Sequence, residues 1–178
     1  MQVLGLVGSP RKDSNTDLLV SQILEGAKTS NHSIEKLYLY GLNISPCVDC
    51  RACKKGNYHC AIHDEMQELY PKLETADVIV FGTPLYWYGP TAPMKLVIDR
   101  LRPFISSKKL QNKRALLVIP SEEGADACNL LVSMFELSFK YLEMNIADKI
   151  LPTASERAEV KNQIQTLNKA FELGKNLR

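Results

Sequence analysis

Short apolar runs alternate with helix-periodic segments along this sequence, and that alternation leaves few folds open. Val3–Gly8 (VLGLVG) is a continuous apolar run ending in glycine, the pattern of a strand buried on both faces. After the Gly8–Thr16 loop, Leu19, Ile23 and Ala27 recur at i, i+4 and i+8, a helical stripe. Ile34, Leu37 and Leu39 predict a second strand ending near Tyr40, Val78–Gly82 (VIVFG) a third, Ala115–Ile119 (ALLVI) a fourth and Asn145–Leu151 a fifth. Further helices are expected from about Asp64, near Ala92–Leu101 and over Leu130–Leu142, and Val160, Ile164, Leu167 and Phe171 should line one face of a last helix. Strand–helix–strand succession implies crossover connections and therefore a parallel sheet. The expectation is a three-layer, doubly wound α/β domain with five parallel strands in the order 2-1-3-4-5 and five helices.

At 178 residues, 45% apolar and 24% charged, the chain has the size and composition of one globular domain over residues 1–178. Its net charge of +2 is no electrostatic reason to expect nucleic acid or a membrane surface as partner. No apolar run approaches the roughly 18 residues of a spanning helix. Gln2–Gly8 lacks the length and basic flank of a secretory leader. A cytoplasmic protein is expected. There thiols stay reduced, and clustered cysteines read as metal-binding or redox-active before they read as disulfides.

Ligands of open parallel sheets bind beyond the carboxyl ends of the strands. The Gly8–Thr16 loop lies there, joining the first strand to the first helix. A helix N-terminus offers free N–H groups and positive partial charge to a phosphate. Ser9, Ser14, Asn15 and Thr16 add hydroxyl and amide donors, and Arg11 adds a fixed charge with forked donors. No Gly-Lys-Ser/Thr follows, so this is not a nucleoside-triphosphate loop. Gly5 and Gly8 do not complete G-x-G-x-x-G, and the second strand ends in Tyr38-Leu39-Tyr40 with no acid for a ribose. The pattern suits a terminal monophosphate such as that of FMN; the plainer alternative is a well-capped helix start.

The interval of about residues 41–63 lacks periodicity, and structureless loops of that length inside a compact domain are usually functional. It holds Cys47, Cys50, Cys53 and Cys60 in the spacing C-x2-C-x2-C-x6-C. Three thiols at successive three-residue steps with a later fourth match iron–sulfur ligation most closely. A structural zinc site, a metal-free redox pair and four incidental thiols remain open. Cys128 reads as a core residue; His59 and His63, which flank Cys60, could be ligands but read more readily as surface residues.

After the third strand come Pro84, Leu85, Tyr86, Trp87, Tyr88 and Gly89. Consecutive aromatics in a loop bounded by Pro and Gly suit a flat isoalloxazine ring, or alternatively an anchor at a subunit interface. Ser121, in Pro120–Gly124 after the fourth strand, lies at the same sheet edge and is expected to help close the pocket.

In their order, Gly8-Ser9-Pro10-Arg11, Ser14-Asn15-Thr16, the Cys47–Cys60 cluster, Asp64-Glu65-Met66, Gly82-Thr83-Pro84-Leu85-Tyr86 and Ile98-Asp99-Arg100 resemble the NADPH-dependent FMN reductase superfamily, whose fold is flavodoxin-like. Within it the chain is most similar to the iron–sulfur flavoproteins. The motifs cover about residues 1–124; beyond that only the strand–helix pattern matches. The resemblance implies FMN at the loops after strands one, three and four, a 4Fe-4S cluster on the compact cysteine motif close to the flavin, and a homodimer or homotetramer. The expected function is an FMN-dependent oxidoreductase. It would pass electrons between the flavin and a small-molecule or protein donor and acceptor, with the cluster as a one-electron relay. The flavin, and no catalytic side chain, would carry the chemistry. The rivals are a cluster-free NAD(P)H-dependent FMN or quinone reductase, a flavodoxin-like electron carrier without its own substrate, and a binding protein clipped by zinc. The usual glycine-rich loop after strand four is here Ser121-Glu122-Glu123-Gly124.

Overall fold

The computed structural model describes all of Met1–Arg178. Five strands, β1 (Gln2–Val7), β2 (Ser33–Tyr38), β3 (Val78–Gly82), β4 (Arg114–Val118) and β5 (Asn145–Ile150), form one sheet in the order β2-β1-β3-β4-β5. Every neighbouring pair is parallel. Six helices join them: α1 (Asn15–Thr29), α2 (Met66–Thr75), α3 (Ala92–Asp99), α4 (Pro103–Ser107), α5 (Asn129–Leu142) and α6 (Ile164–Lys175). The helix expected near Ala92–Leu101 is α3, which ends at Asp99; the short α4 beyond it is unexpected and starts at Pro103, where a missing N–H costs nothing.

Successive strand residues point to opposite faces, and the three central strands use that alternation fully. Leu4, Leu6, Ile79, Phe81, Ala115 and Leu117 face a core filled from α2 to α5. Val3, Val7, Val78, Val80, Leu116 and Val118 face the core filled from α1 and α6. Phe81, Phe135 and Phe139 pack as a tilted aromatic cluster in the first. The stripe expected on α1 is buried as Leu19, Ile23 and Ala27.

Two expectations are corrected. β2 stops at Tyr38, and Leu39–Gly41 is a 3-10 turn that tucks Leu39 into the core. The last helix starts only at Ile164, so Val160 lies in a separate turn and Ile164 is 69% exposed. The buried face of α6 centres on Ala170 and Gly174, small residues that admit the backbone of α1.

The chain steps from β1 out to β2, then returns to place β3 on the other side of β1. The carboxyl ends of β1 and β3 therefore flank the topological switch point, where their outgoing loops diverge and leave a crevice. The ends lie close: Gly8 N–H donates to Gly82 O at 2.7 Å, and Thr91 Oγ1 donates to Gly8 O at 2.6 Å. A Cβ on Gly82 would sit 2.5 Å from Val20 and 3.0 Å from Thr16, so only glycine lets β3 approach the first turn of α1.

Candidate functional site

A cavity of about 230 Å³ opens at this carboxyl edge. The loop after β1 lines it with Ser9, Arg11, Ser14, Asn15 and Thr16, the loop after β3 with Pro84, Leu85 and Tyr86. The loops after β4 and β5 complete it with Pro120, Ser121, Glu122, Ala154 and Ser155. Backbone bonds lace the loops together, from Thr83 N to Val118 O, Leu85 N to Pro120 O, Ser121 N to Pro152 O and Ala154 N to Ser121 O.

The floor suits an anion. The first bond closing α1 runs from Leu18 N to Ser14 O, so the N–H groups of Asn15, Thr16 and Asp17 have no partner within the helix. Ser14 precedes the helix in extended conformation and makes no side-chain cap bond. Ser9 Oγ instead shapes the turn by accepting from Arg11 N at 3.2 Å. Arg11 is exposed at the rim. Asp17, buried in the first turn, accepts from Asp13 N, Lys36 Nζ and Tyr38 OH. Burial pushes its carboxyl up, but those donors outweigh burial and hold it below the usual carboxylate range. The acid thus neutralises Lys36 and pins the loop at Asp13.

Two predicted contacts are partly spent on the fold. Asn15 Nδ2 donates to Glu156 O at 2.8 Å and its Oδ1 accepts from Val160 N, so its side chain ties down the loop after β5 and its free backbone N–H faces the site. Ser121 Oγ donates to Gly124 O. Of the aromatic run only Tyr86 lines the cavity. Tyr86 and Gly89 exchange backbone bonds at 2.9 Å, with Trp87 and Tyr88 at positive φ as the two turn residues. That hairpin throws Trp87 outward, 97% exposed, and leaves Trp87, Tyr88 and Gly89 off the wall. Ala154 and Ser155 had no motif to announce them; their place depends on where β5 ends.

The cysteine loop follows β2 on a different part of the surface. Cys47, Cys50, Cys53 and Cys60 are all free and all line one cavity of about 20 Å³. No three His, Cys, Asp or Glu side chains converge closely enough to hold a metal ion as they stand. Burial and the neighbouring Cys60 and Cys47 thiols push the Cys53 thiol up. His59 and His63 are exposed and lie off this wall. The two cavities share no lining residue.

The two motifs noted at Asp64 and Arg100 meet beneath the loop. Arg100 donates to both oxygens of Asp64, at 2.7 and 3.1 Å, with both side chains nearly inaccessible. Asp64 also accepts from Ser45 N and Met66 N, and Tyr70 OH donates to Arg100 O. Both ends of the cysteine loop are therefore fastened to one buried ion pair.

The profile of the NADPH-dependent FMN reductase family matches residues 1–168. The chain belongs to that family. An iron–sulfur flavoprotein of Methanocaldococcus jannaschii is 36% identical over 113 residues, 64% of this chain and 58% of that protein. An iron–sulfur flavoprotein of Archaeoglobus fulgidus is 31% identical over 159 residues, covering 87% of this chain and 78% of the relative. The chain spans only 51% to 58% of the length of three such iron–sulfur flavoproteins. The NAD(P)H:quinone oxidoreductase from Methanothermobacter marburgensis superposes with a TM-score of 0.79 at 16% identity, covering 100% of this chain and 99% of that one, a likeness of fold.

For this FMN reductase family member the carboxyl-edge cavity suits FMN by its donor set: free helix N–H groups, an uncommitted Ser14 hydroxyl and the Arg11 charge at one end, and Pro84, Leu85 and Tyr86 at the other. The cysteine cavity carries the ligand chemistry of an iron–sulfur site without the converged geometry. Its wall carries four free thiols, and it includes Arg100, whose buried Nε–H has no acceptor. No helix is long and apolar enough to cross a membrane.

Proposed function

We propose that this protein is an FMN-dependent oxidoreductase acting as one flavodoxin-like unit over residues 1–178, drawing electrons from NAD(P)H or a ferredoxin-type donor. The observation that carries the reading is the donor-lined floor at the switch point: unpaired N–H groups at the start of α1 beside Ser14, Thr16 and Arg11. FMN, when bound, supplies a ring able to accept electrons and pass them on. Ser9, Arg11, Ser14, Asn15 and Thr16 would hold its phosphate; Pro84, Leu85, Tyr86 and the Ser121 loop would orient the ring and shield one side from water. Tyr86, on the cavity wall, is half exposed. The Arg11→Ala/Thr16→Ala double variant removes donors whose charge-assisted bonds contribute about 1.5–3 kcal/mol each, so FMN affinity should fall by at least about a hundredfold. Fluorescence titration of apoprotein with FMN measures it; unchanged affinity would put the phosphate elsewhere. Steady-state NAD(P)H oxidation with added quinone or FMN separates an enzyme from a mere carrier.

The proposal extends to a 4Fe-4S cluster on Cys47, Cys50, Cys53 and Cys60. Its support is the shared cavity and the iron–sulfur flavoprotein relatives. The four thiols must draw together to ligate it. Anaerobic reconstitution with iron and sulfide should give four irons per chain, lost on Cys50→Ala with FMN binding intact. A chain that binds FMN and takes up no iron is the cluster-free reductase, a reading favoured by the thiols not converging as they stand.

A homodimer or homotetramer belongs to the same reading. Its support is the Trp87-Tyr88 tip, where two aromatics are held on backbone that disfavours them and pointed at solvent. Such a tip gains from burial against a second copy, which sedimentation equilibrium of wild type against Trp87→Ala would detect.

A further inference from the structure

Arg100 is the largest fully buried side chain in the protein, 1% exposed. A guanidinium has five N–H donors and stays charged in a protein. Four are spent. Nη1 donates to Ser45 O at 2.8 Å and Asp64 Oδ2 at 2.7 Å, and Nη2 to Asp64 Oδ1 at 3.1 Å and Ile62 O at 3.4 Å. The fifth, on Nε, is buried with no partner. A charged donor left without an acceptor in the interior is rare and costly.

The place of that orphan limits what it can serve. Arg100 is part of the wall that also carries the four cysteines. The carboxylates on the same wall are engaged: Asp49 with Arg51 and Arg102, Asp99 with Lys95. Among the side chains of the wall, the acceptors left uncommitted for the Nε–H are the four cysteine sulfurs. Burial works against the Arg100 charge, but Asp64, Tyr70 and Cys60 more than offset it and keep the group a cation.

We infer that Arg100 is the positioning residue of the cysteine site, its Nε–H reserved for a hydrogen bond to a thiolate or cluster sulfur while its other donors grip the loop at Ser45 and Ile62. The inference rests on the iron–sulfur reading. An N–H donor and a fixed positive charge beside the sulfurs favour the more negative, reduced centre, so Arg100 raises the reduction potential. It also gathers both ends of the loop, one on each side of the Cys47–Cys60 segment, before any iron arrives. Lysine at this position would retain the charge but lose the planar fork and the fifth donor.

The experiment uses full-length protein reconstituted anaerobically with iron and sulfide, grown with arginine labelled with 15N in the guanidinium group. Pulsed EPR of the reduced protein should show a 15N hyperfine coupling to the cluster. The coupling should persist in an Arg51→Lys/Arg102→Lys double variant, which removes the other two arginines on the wall. Arg100→Lys, with iron and FMN content equal to wild type, should lose it. At the wild-type midpoint potential its ratio of reduced to oxidised cluster should fall about tenfold, equivalent to about 59 mV for one electron. Loaded wild type without the coupling, or loaded Arg100→Lys with an unchanged potential, overturns the role of Arg100 and leaves the cluster standing. If Arg100→Lys does not fold, the labelled wild type decides alone. Wild type that takes up no iron overturns the iron–sulfur reading and this inference with it.

Discussion

Replacing Asp64 by alanine lowers the stability of this protein by about 3–5 kcal/mol. The carboxylate receives two hydrogen bonds from Arg100, at 2.7 and 3.1 Å, and one each from Ser45 N and Met66 N. Removing it strands the Arg100 cation where water cannot reach, because that side chain is 1% exposed. It also uncaps α2 and releases the start of the cysteine loop at Ser45. Domains of this kind are stable by only about 5–15 kcal/mol, so the variant should unfold at a much lower urea concentration. A midpoint shift corresponding to less than about 1 kcal/mol would show that the pair is not the fastening described above.

The same pair carries a pH dependence. Burial pushes the Asp64 carboxyl up, but Arg100 and the Ser45 and Met66 N–H groups outweigh it and hold it below its ordinary value of 3.8. A carboxyl depressed in the folded state contributes stability that is complete above its unfolded pKa and disappears as pH falls through the lower folded value. Asp17 has the same sign. Wild type should therefore lose stability below about pH 4. The gap between wild type and Asp64→Asn should narrow over that range; a gap independent of pH would contradict the depressed carboxyl.

Gly174→Ala destabilises by about 3 kcal/mol, the upper end of the ordinary cost of overpacking. An added Cβ would lie 1.8 Å from Ile23 O and 2.8 Å from Ala27 N. Those atoms are backbone of α1 and cannot rotate away, so the two helices must separate by more than an ångström or unwind locally. The gain of about 1 kcal/mol that alanine brings to a helix interior is too small to offset this. The cost reaches the candidate site as well, because α1 presents Asn15 and Thr16 at its first turn. Gly41→Ala is the matched control, since nothing lies within 4 Å of its added Cβ. Urea denaturation of both variants tests the contrast; equal midpoints would mean that α1 and α6 do not cross as closely as described.

The α/β alternation was legible because strand and helix periodicities are local. VIVFG at Val78–Gly82 coincides with β3, and the Leu19-Ile23-Ala27 stripe is the buried face of α1. The same logic held only in part at α6, where Leu167 packs on the core as expected. Val160 and Ile164 fit the four-residue step, but the helix begins after Gln163, and the contact is made by Ala170 and Gly174, which carry little hydrophobic signal. At the cavity, Ser9 through Thr16 are neighbours in sequence and arrive together, whereas Ala154 and Ser155 come from a loop more than a hundred residues away. By composition the aromatic run suits a flavin wall or an interface anchor alike; two-residue hairpin geometry puts Tyr86 on the cavity wall and turns Trp87 out, a distinction composition does not carry.

The sequence by itself determined the succession of strands and helices, the donor-rich start of α1 and the gathering of four cysteines in one loop, because each depends on residues within a few positions of one another. Only the tertiary structure decided that Asp64 and Arg100, 36 residues apart, would share a dry pocket under the cysteine loop. It alone set Gly26 and Gly174 where two helices touch backbone to backbone, and spent the Asn15 amide on the loop after β5. These contacts follow from where the crossovers lay the elements in space. A buried charge, a missing Cβ or a committed amide has meaning only against the partner that the packing brings to it.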